Sequence, residues 1–375
     1  MLHRIYFSPG MFGFGRLASY DYFAHLDRAL TRALRDAGDD VSTWVVDVAP
    51  TASIRGRAAR LAELVAATSD DGAGPIHLVG HSTGGIDACL VATPGVRLPC
   101  DERALAWLPR LASVTTLSTP HHGTPLASFF TTVSGQRLLY ALSLLTFVAL
   151  TFGAPPLAAA SALVAVIGRL DRALGLDLRV LDDARNREVR TVLDAIGQDQ
   201  GAMVQLMPEA MELFATVTRD RPGVAYQCTA SMAPPPSPSN WVRAITSPWG
   251  TISTSLFAAL WGITSRFDER YPCAAPSAGE ESEAFLARAF GRAPGARAND
   301  GVVPLRSQLH GTLVWAGHAD HLDVLGHFDG GKPRGGANDE PSYVDWLHSG
   351  AKFDRERFDV MTRAIADGML RAAKA

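Results

Sequence analysis

The stretch that most constrains this chain is Ile76-His-Leu-Val-Gly80-His-Ser82-Thr-Gly84-Gly85. An apolar, β-branched run leads into Gly-x-Ser-x-Gly, and Gly85–Val91 continues with helical spacing. A strand that turns into a helix within a few residues lifts the serine hydroxyl onto a sharp bend above the sheet. Glycines flank it because side chains there would collide with neighbouring backbone. The five-residue pattern is common by itself; the strand before it and the helix after it give it weight. The competing reading is a glycine-rich turn that binds phosphate at a helix N-terminus. It is weakened because neither Gly-x-Gly-x-x-Gly nor a Lys-Ser/Thr pair accompanies it.

Further short apolar runs read as buried strands: Arg4–Phe7, Trp44–Val48, Val114–Leu117, Val224–Thr229 and Thr312–Ala316. Helical periodicity fills Tyr22–Ala37 and Ile54–Ala67 between them, and Asp354–Ala373 reads as a closing amphipathic helix. Strands alternating with helices predict a parallel sheet covered on both faces.

At 375 residues, 47% hydrophobic and 19% charged, the chain is a folded globular protein with room for one large domain or two ordinary ones. A formal net charge of −3 argues against a nucleic-acid partner. Cys89, Cys100, Cys228 and Cys273 form no CxxC pair, so buried free thiols are expected, with a Cys228–Cys273 bridge only in an exported protein. The opening MLHRIYFSPG enters an apolar strand at once and has no basic leader followed by an apolar core. The expected location is the cytoplasm or a membrane periphery, or else the sequence is a processed form.

Two segments break the strand–helix rhythm. Between Arg137 and Arg169 there is no charged residue, and a Gly-Ala-Pro-Pro break divides LLYALSLLTFVALTF from LAAASALVAVIG. Each half is shorter than the roughly 20 residues a spanning helix needs, which favours an apolar helical hairpin. Residues 233–295 are rich in Pro, Ser and Gly near both ends and read as a further insertion. The expected organisation is a core of residues 1–125 and 220–375, a cap or lid of 126–219, and the 233–295 insertion within the core's second half.

A serine hydroxyl needs a base to take its proton, and the base needs an acid to fix its tautomer. Asn299-Asp300-Gly301 offers an acid in a turn, and Gly317-His318-Ala-Asp320-His321-Leu-Asp323 offers two histidines just after a strand. Asp300 follows Ser82 and both histidines follow Asp300, an order that strand-turn-helix serine sites use. On the residues alone His318 and His321 both stand as the base. An oxyanion site needs two N–H donors. Thr83 supplies one as the residue after the serine, and the glycine-rich loop Ser8-Pro-Gly10-Met11-Phe-Gly13 is placed to supply the other.

Taken together these segments resemble the bacterial true lipases, the triacylglycerol lipases that usually bind calcium. Pro9-Gly-Met-Phe-Gly-Phe14 with Asp21-Tyr-Phe23 is similar to the family's oxyanion segment and its downstream aromatic motif. Ile54-Arg55-Gly56, Gly80–Gly84, Thr119-Pro-His-His-Gly-Thr124, Asn299-Asp300-Gly301 and His321-Leu-Asp323 resemble further family motifs. The resemblance implies an α/β-hydrolase fold, a mostly parallel sheet flanked by helices with a helical cap. It implies Ser82, Asp300 and His321 as the catalytic triad, with the backbone N–H groups of Met11 and Thr83 around the oxyanion. His321 is preferred to His318 on this resemblance.

Asp323 would correspond to a calcium-ligand carboxylate. Only Glu280, Glu281 and Glu283 precede Asp300 as partners for it, and Pro9 stands where the family has histidine. No organic cofactor is implied. The expected substrate is a lipid or a medium-to-long acyl ester, with residues 138–168 resting on a membrane, a lipid surface or a second subunit. Two other readings follow from the same residues. One is an acyltransferase or intracellular polyester depolymerase using the same triad. The other is an inactive, membrane-associated binding protein.

Overall fold

Strands covered on both faces carry apolar side chains at consecutive positions, and Ile5-Tyr6-Phe7 and Leu78-Val79 do so. The computed structural model describes residues 1–11, 16, 17, 20–49, 51–69, 72, 74–132, 135, 199, 201–238, 248–266, 273, 278–328 and 345–375. In chain order they form β1 (Leu2–Ser8), the two-stranded hairpin β2 (Arg16–Leu17) and β3 (Tyr20–Asp21), α1 (Ala24–Asp36) and β4 (Asp40–Val45). Next come α2 (Ile54–Ser69), β5 (Ile76–His81), α3 (Thr83–Ala92), β6 (Leu111–Leu117) and α4 (Pro125–Phe130). Then follow α5 (Gly201–Gln205), α6 (Pro208–Val217), β7 (Ala225–Met232), α7 (Pro248–Thr264), α8 (Gly279–Phe290), β8 (Thr312–His318) and α9 (Arg355–Ala372).

The main sheet has the order β4-β1-β5-β6-β7-β8, and every neighbouring pair is parallel. Tyr6 of β1 enters the core under α2 and α3 with Leu61, Val65 and Ile86. Its neighbours Ile5 and Phe7 enter the opposite core under α1 and α9. Leu26, Leu30 and Leu34, spaced by four on α1, are fully buried in that second core with Phe358, Met361, Ile365 and Met369 of α9. Each such side chain contributes roughly 1.5–3 kcal/mol through burial. Asp354 starts α9 by accepting the Arg357 N–H at 2.9 Å, a cap worth about 1 kcal/mol.

Five of the six expected strands lie where the apolar runs place them, each a residue or more longer. The sixth is displaced: Trp44–Val48 is expected, and the strand is Asp40–Val45. β4 is an edge strand, paired with β1 from Leu2↔Asp40 to Phe7↔Val45. Val46 and Val48 are buried beyond its end, as part of the segment leading to α2. Their apolar character therefore marks core contact rather than strand pairing.

The chain runs from β1 outward to β4 and then crosses back to β5 on the other side of β1. Open α/β sheets bind ligands at such a reversal, here the carboxyl ends of β1 and β5. β1 feeds the Pro9–Met11 loop there, and β5 feeds Ser82.

Of the expected cap, α4, α5 and α6 are described, while the apolar stretch 138–168 lies outside the described residues. The 233–295 insertion contributes α7 and α8. Among the described residues no helix is long and apolar enough to cross a membrane. Cys228 and Cys273 are both buried free thiols, as distinct from a bridged pair.

Candidate active site

Ser82 sits between the last residue of β5 and the first of α3 with φ 55° and ψ −127°, a region that non-glycine residues rarely occupy. The strain is held by the surroundings. Ser82 N–H donates to the Leu117 carbonyl at the end of β6 (2.9 Å), and Gly85 N–H donates to the Ser82 carbonyl (3.0 Å). A Cβ at Gly84 would lie 2.0 Å from the Ser8 carbonyl oxygen, so only glycine lets α3 pass this close to β1. Thr83 opens α3, where a first-turn N–H has no carbonyl within its own helix to bond.

Asp300 lies in a turn returned to the end of β7. Ala233 N–H donates to the Asn299 carbonyl (2.9 Å), tying the turn to the strand end. Thr124 Oγ1 donates to the Val302 carbonyl (2.6 Å) and Thr264 Oγ1 to the Gly301 carbonyl (3.0 Å). Within the turn, Asp300 Oδ1 accepts the N–H groups of Val302 (2.9 Å) and Val303 (2.7 Å). Its other oxygen, Oδ2, lies 2.8 Å from His321 Nδ1, both groups being almost entirely buried. His321 N–H also donates to the Asp300 carbonyl (3.0 Å), so the pair is joined twice.

His321 follows β8, and its ring centroid lies 4.6 Å from that of His81, the residue before Ser82. The structure thus brings the Ser82, Asp300 and His321 segments together at the carboxyl ends of β5, β7 and β8. His318 ends β8 exposed, edge-on to Phe290 at 5.1 Å. Met11 is buried beyond the end of β1, and residues 12–15 of its loop lie outside the described residues.

A buried ion pair, absent from the sequence expectations, supports the loop before Met11. Arg57 of α2 is fully buried, and its Nε and Nη2 contact Asp87 Oδ2 of α3 at 3.0 and 2.9 Å. Ser8 Oγ donates to the same Asp87 oxygen (2.9 Å). The guanidinium also donates to the carbonyls of Pro9 and Ala49. Burial pushes the Asp87 carboxyl up, and Arg57 opposes that rise. A signal for this pair exists in the sequence: Arg57 lies on the apolar face of α2 with Ile54, Ala58 and Leu61. Asp87 is likewise the one charge in the apolar helix TGGIDACLVA. A charge on a core face requires a buried partner.

Asp323 lies in a reciprocal turn with Asp320. Asp323 Oδ2 accepts the Asp320 N–H (2.8 Å), and Asp320 Oδ1 accepts the N–H groups of Leu322 (2.9 Å) and Asp323 (3.1 Å). Ser349 Oγ donates to Asp320 Oδ2 (2.8 Å). Burial pushes the Asp320 carboxyl up to about 7, and Asp323 also rises, first through burial and then through its neighbour Asp320. A calcium ion wants several ionised or carbonyl oxygens. Here the carboxyl oxygens serve protein donors, and Glu283 forms a two-point pair with Arg306 (2.6 and 3.0 Å). Among the described residues no three His, Cys, Asp or Glu side chains are grouped to hold a metal ion.

A serine on a strained strand–helix bend, with an acid turn after β7 and a histidine loop after β8, decides the architecture. This is the α/β-hydrolase fold. The resemblance to bacterial triacylglycerol lipases has a counterpart among known proteins. Over 118 residues the chain is 31% identical to a triacylglycerol lipase of Pseudomonas fragi, a match covering 32% of this chain and 34% of that lipase. The chain therefore spans about a third of the length of the curated relative it matches. No family model matches the chain.

Similar solved structures include a lipase of Staphylococcus hyicus, at 17% identity and a TM-score of 0.48, covering 99% of this chain and 96% of that one. EstA of Clostridium botulinum is similar at 20% identity and a TM-score of 0.47, covering 94% and 86%. A metagenomic carboxyl esterase is similar at 16% identity and a TM-score of 0.49, covering 98% and 76%.

Proposed function

We propose that this α/β-hydrolase is a serine carboxylic-ester hydrolase that works through an acyl-serine intermediate. The observation that carries the reading is the buried Asp300–His321 pair standing beside the strained Ser82 bend. Ser82 Oγ attacks the ester carbonyl while His321 Nε2 takes its proton. Asp300 Oδ2, accepting Nδ1–H, keeps the other ring nitrogen bare for that task and steadies the imidazolium that forms. The Met11 and Thr83 N–H groups receive the negative oxygen of the tetrahedral intermediate. His321 then returns the proton to the departing alkoxide. Water, deprotonated by the same base, releases the acid and restores Ser82. No step uses a cofactor or a metal.

The substrate class follows from the uncharged stretch 138–168 and from Val204, Leu213 and Val217, which stand exposed on or beside α5 and α6. A lipid or a medium-to-long acyl chain suits an uncharged sequence and exposed apolar side chains of this kind, and contact with a lipid aggregate suits them equally. Hydrolysis of p-nitrophenyl esters from acetate to palmitate tests the reading. Turnover rising with acyl length and lost in Ser82→Ala supports it. Turnover that survives Ser82→Ala removes the serine mechanism, and turnover of acetate alone removes the lipidic substrate.

A further inference from the structure

His81 is one of the two residues that the Gly-x-Ser-x-Gly pattern leaves undefined, and Tyr22 directly follows β3. Both are buried: His81 fully, Tyr22 to within 6%. His81 Nε2 lies 2.8 Å from the His321 carbonyl oxygen. A carbonyl only accepts, so Nε2 carries the ring proton and Nδ1 is bare. The Tyr22 hydroxyl, 2.7 Å from Nδ1, is then the donor of that bond. Gly10 lies against the Tyr22 oxygen, and its backbone opposes the rise that burial gives the hydroxyl's pKa. Burial, and after it the facing His321, hold His81 well below the usual imidazole range, so the ring keeps a single proton.

Both bonds of this chain run the same way, from Tyr22 to His81 and from His81 to the His321 carbonyl. It begins beside the loop before Met11. A Cβ on Gly10 would lie 2.8 Å from Ser82 Cβ and 3.1 Å from the Tyr22 hydroxyl, so loop, serine and tyrosine meet at one point. It ends on the main chain of His321, whose N–H is already held by the Asp300 carbonyl. A second tie runs beside it: His327 Nε2 reaches the Tyr22 carbonyl at 3.3 Å.

We propose that Tyr22 and His81 are positioning residues for the hydrolysis described above. They form a directional hydrogen-bond chain, Tyr22 O–H to His81 and His81 Nε2–H to the His321 carbonyl, that with Gly10 packed against Tyr22 sets the oxyanion loop and the base loop in register with Ser82. The inference rests on the ester-hydrolase reading of the site. Neither side chain meets the reacting atoms. A neutral His81 facing His321 also leaves the serine proton to His321 alone. Loss of the chain loosens both loops at once, which lowers turnover more than substrate binding.

The test measures kcat and KM on p-nitrophenyl butyrate, per site titrated with fluorophosphonate, for wild type, Tyr22→Phe, His81→Phe and His81→Gln. Tyr22→Phe is expected to lower kcat about tenfold and His81→Phe about a hundredfold, with KM held within about twofold. His81→Gln places an amide donor within reach of the His321 carbonyl and is expected to recover about tenfold of that loss. Nitrogen-15 NMR of the wild type reads the same chain without a mutation, and is expected to show His81 protonated at Nε2 only.

A folded Tyr22→Phe enzyme with wild-type kcat, or a wild-type His81 protonated at Nδ1, overturns the proposal. Those results in an active wild type leave the hydrolase reading standing, whereas a wild type that cleaves no ester removes that reading first. If the variants fail to fold, the tautomer decides alone.

Discussion

Asp300 divides its carboxylate between two tasks, Oδ2 meeting His321 Nδ1 at 2.8 Å while Oδ1 accepts the N–H groups of Val302 and Val303. Asp300→Asn keeps an oxygen for the two amides, so the turn stays folded. Its –NH2 then faces His321 and demands a bare Nδ1, the tautomer that cannot take the serine proton. The expected outcome is a kcat lower by about 10⁴-fold with little change in melting temperature. Steady-state kinetics beside thermal unfolding check it, and near-normal turnover would pass the acid role to another carboxyl.

Arg57 and Asp87 are a buried pair whose partners cannot be removed singly without cost. Arg57→Met leaves the buried Asp87 carboxyl without its cation, with the Ser8 hydroxyl still donating to it, and is expected to lose about 3–5 kcal/mol of stability. The double variant Arg57→Met, Asp87→Leu removes both charges and recovers most of that loss. Its turnover stays low, since the Pro9 carbonyl has lost its guanidinium donor. Urea unfolding of the wild type and the two variants reads the first effect, and kcat the second.

The elbow tolerates no side chain at Gly84, where an added carbon meets the Ser8 carbonyl oxygen at 2.0 Å. Gly84→Ala forces α3 away from β1 and is expected to cost about 3 kcal/mol. An unchanged urea midpoint would mean that the helix start can shift freely.

A pH dependence of stability follows from the buried histidine chain at the other end of the sheet. His77 lies between His3 Nδ1 (2.9 Å) and Ser113 Oγ (2.7 Å), and burial, with His3 adding to it, lowers its pKa to about 3. In the unfolded chain a histidine takes its proton near pH 6.5. Its contribution is therefore present above pH 6.5 and is lost as pH falls from there toward 3, by about 3 kcal/mol between pH 7 and 4.5. His77→Asn is expected to be less stable at pH 7.5 but to lose less on acidification. Unfolding curves at pH 7.5 and 4.5 compare the two slopes, and equal slopes would contradict the assignment.

The sheet and the turns that carry Ser82, Asp300 and His321 are legible in the sequence because each is local. An apolar run, a glycine pair or an Asn-Asp-Gly turn states its geometry within ten residues. β4 is misplaced because Val46 and Val48 are apolar for core contact, which a strand pattern cannot distinguish. The supports of the site are less legible because they span long separations. Arg57 and Asp87 are 30 residues apart, Tyr22 and His81 are 59 apart, and His81 and His321 are 240 apart. Arg57 and Asp87 announce themselves, each as a charge in an apolar helix or on its apolar face. Tyr22 and His81 look like ordinary aromatic core residues until the hydrogen-bond directions are followed.

The central claim is that Ser82 is the nucleophile of an ester hydrolase, and trapping it covalently tests this most directly. The protein is treated with a fluorophosphonate, digested, and the labelled peptide identified by mass spectrometry, with p-nitrophenyl butyrate turnover followed in parallel. The account predicts one phosphonyl group per chain, on Ser82, with turnover lost in step with labelling. An active enzyme that keeps its turnover with Ser82 unlabelled, or carries the label on another residue, would contradict it.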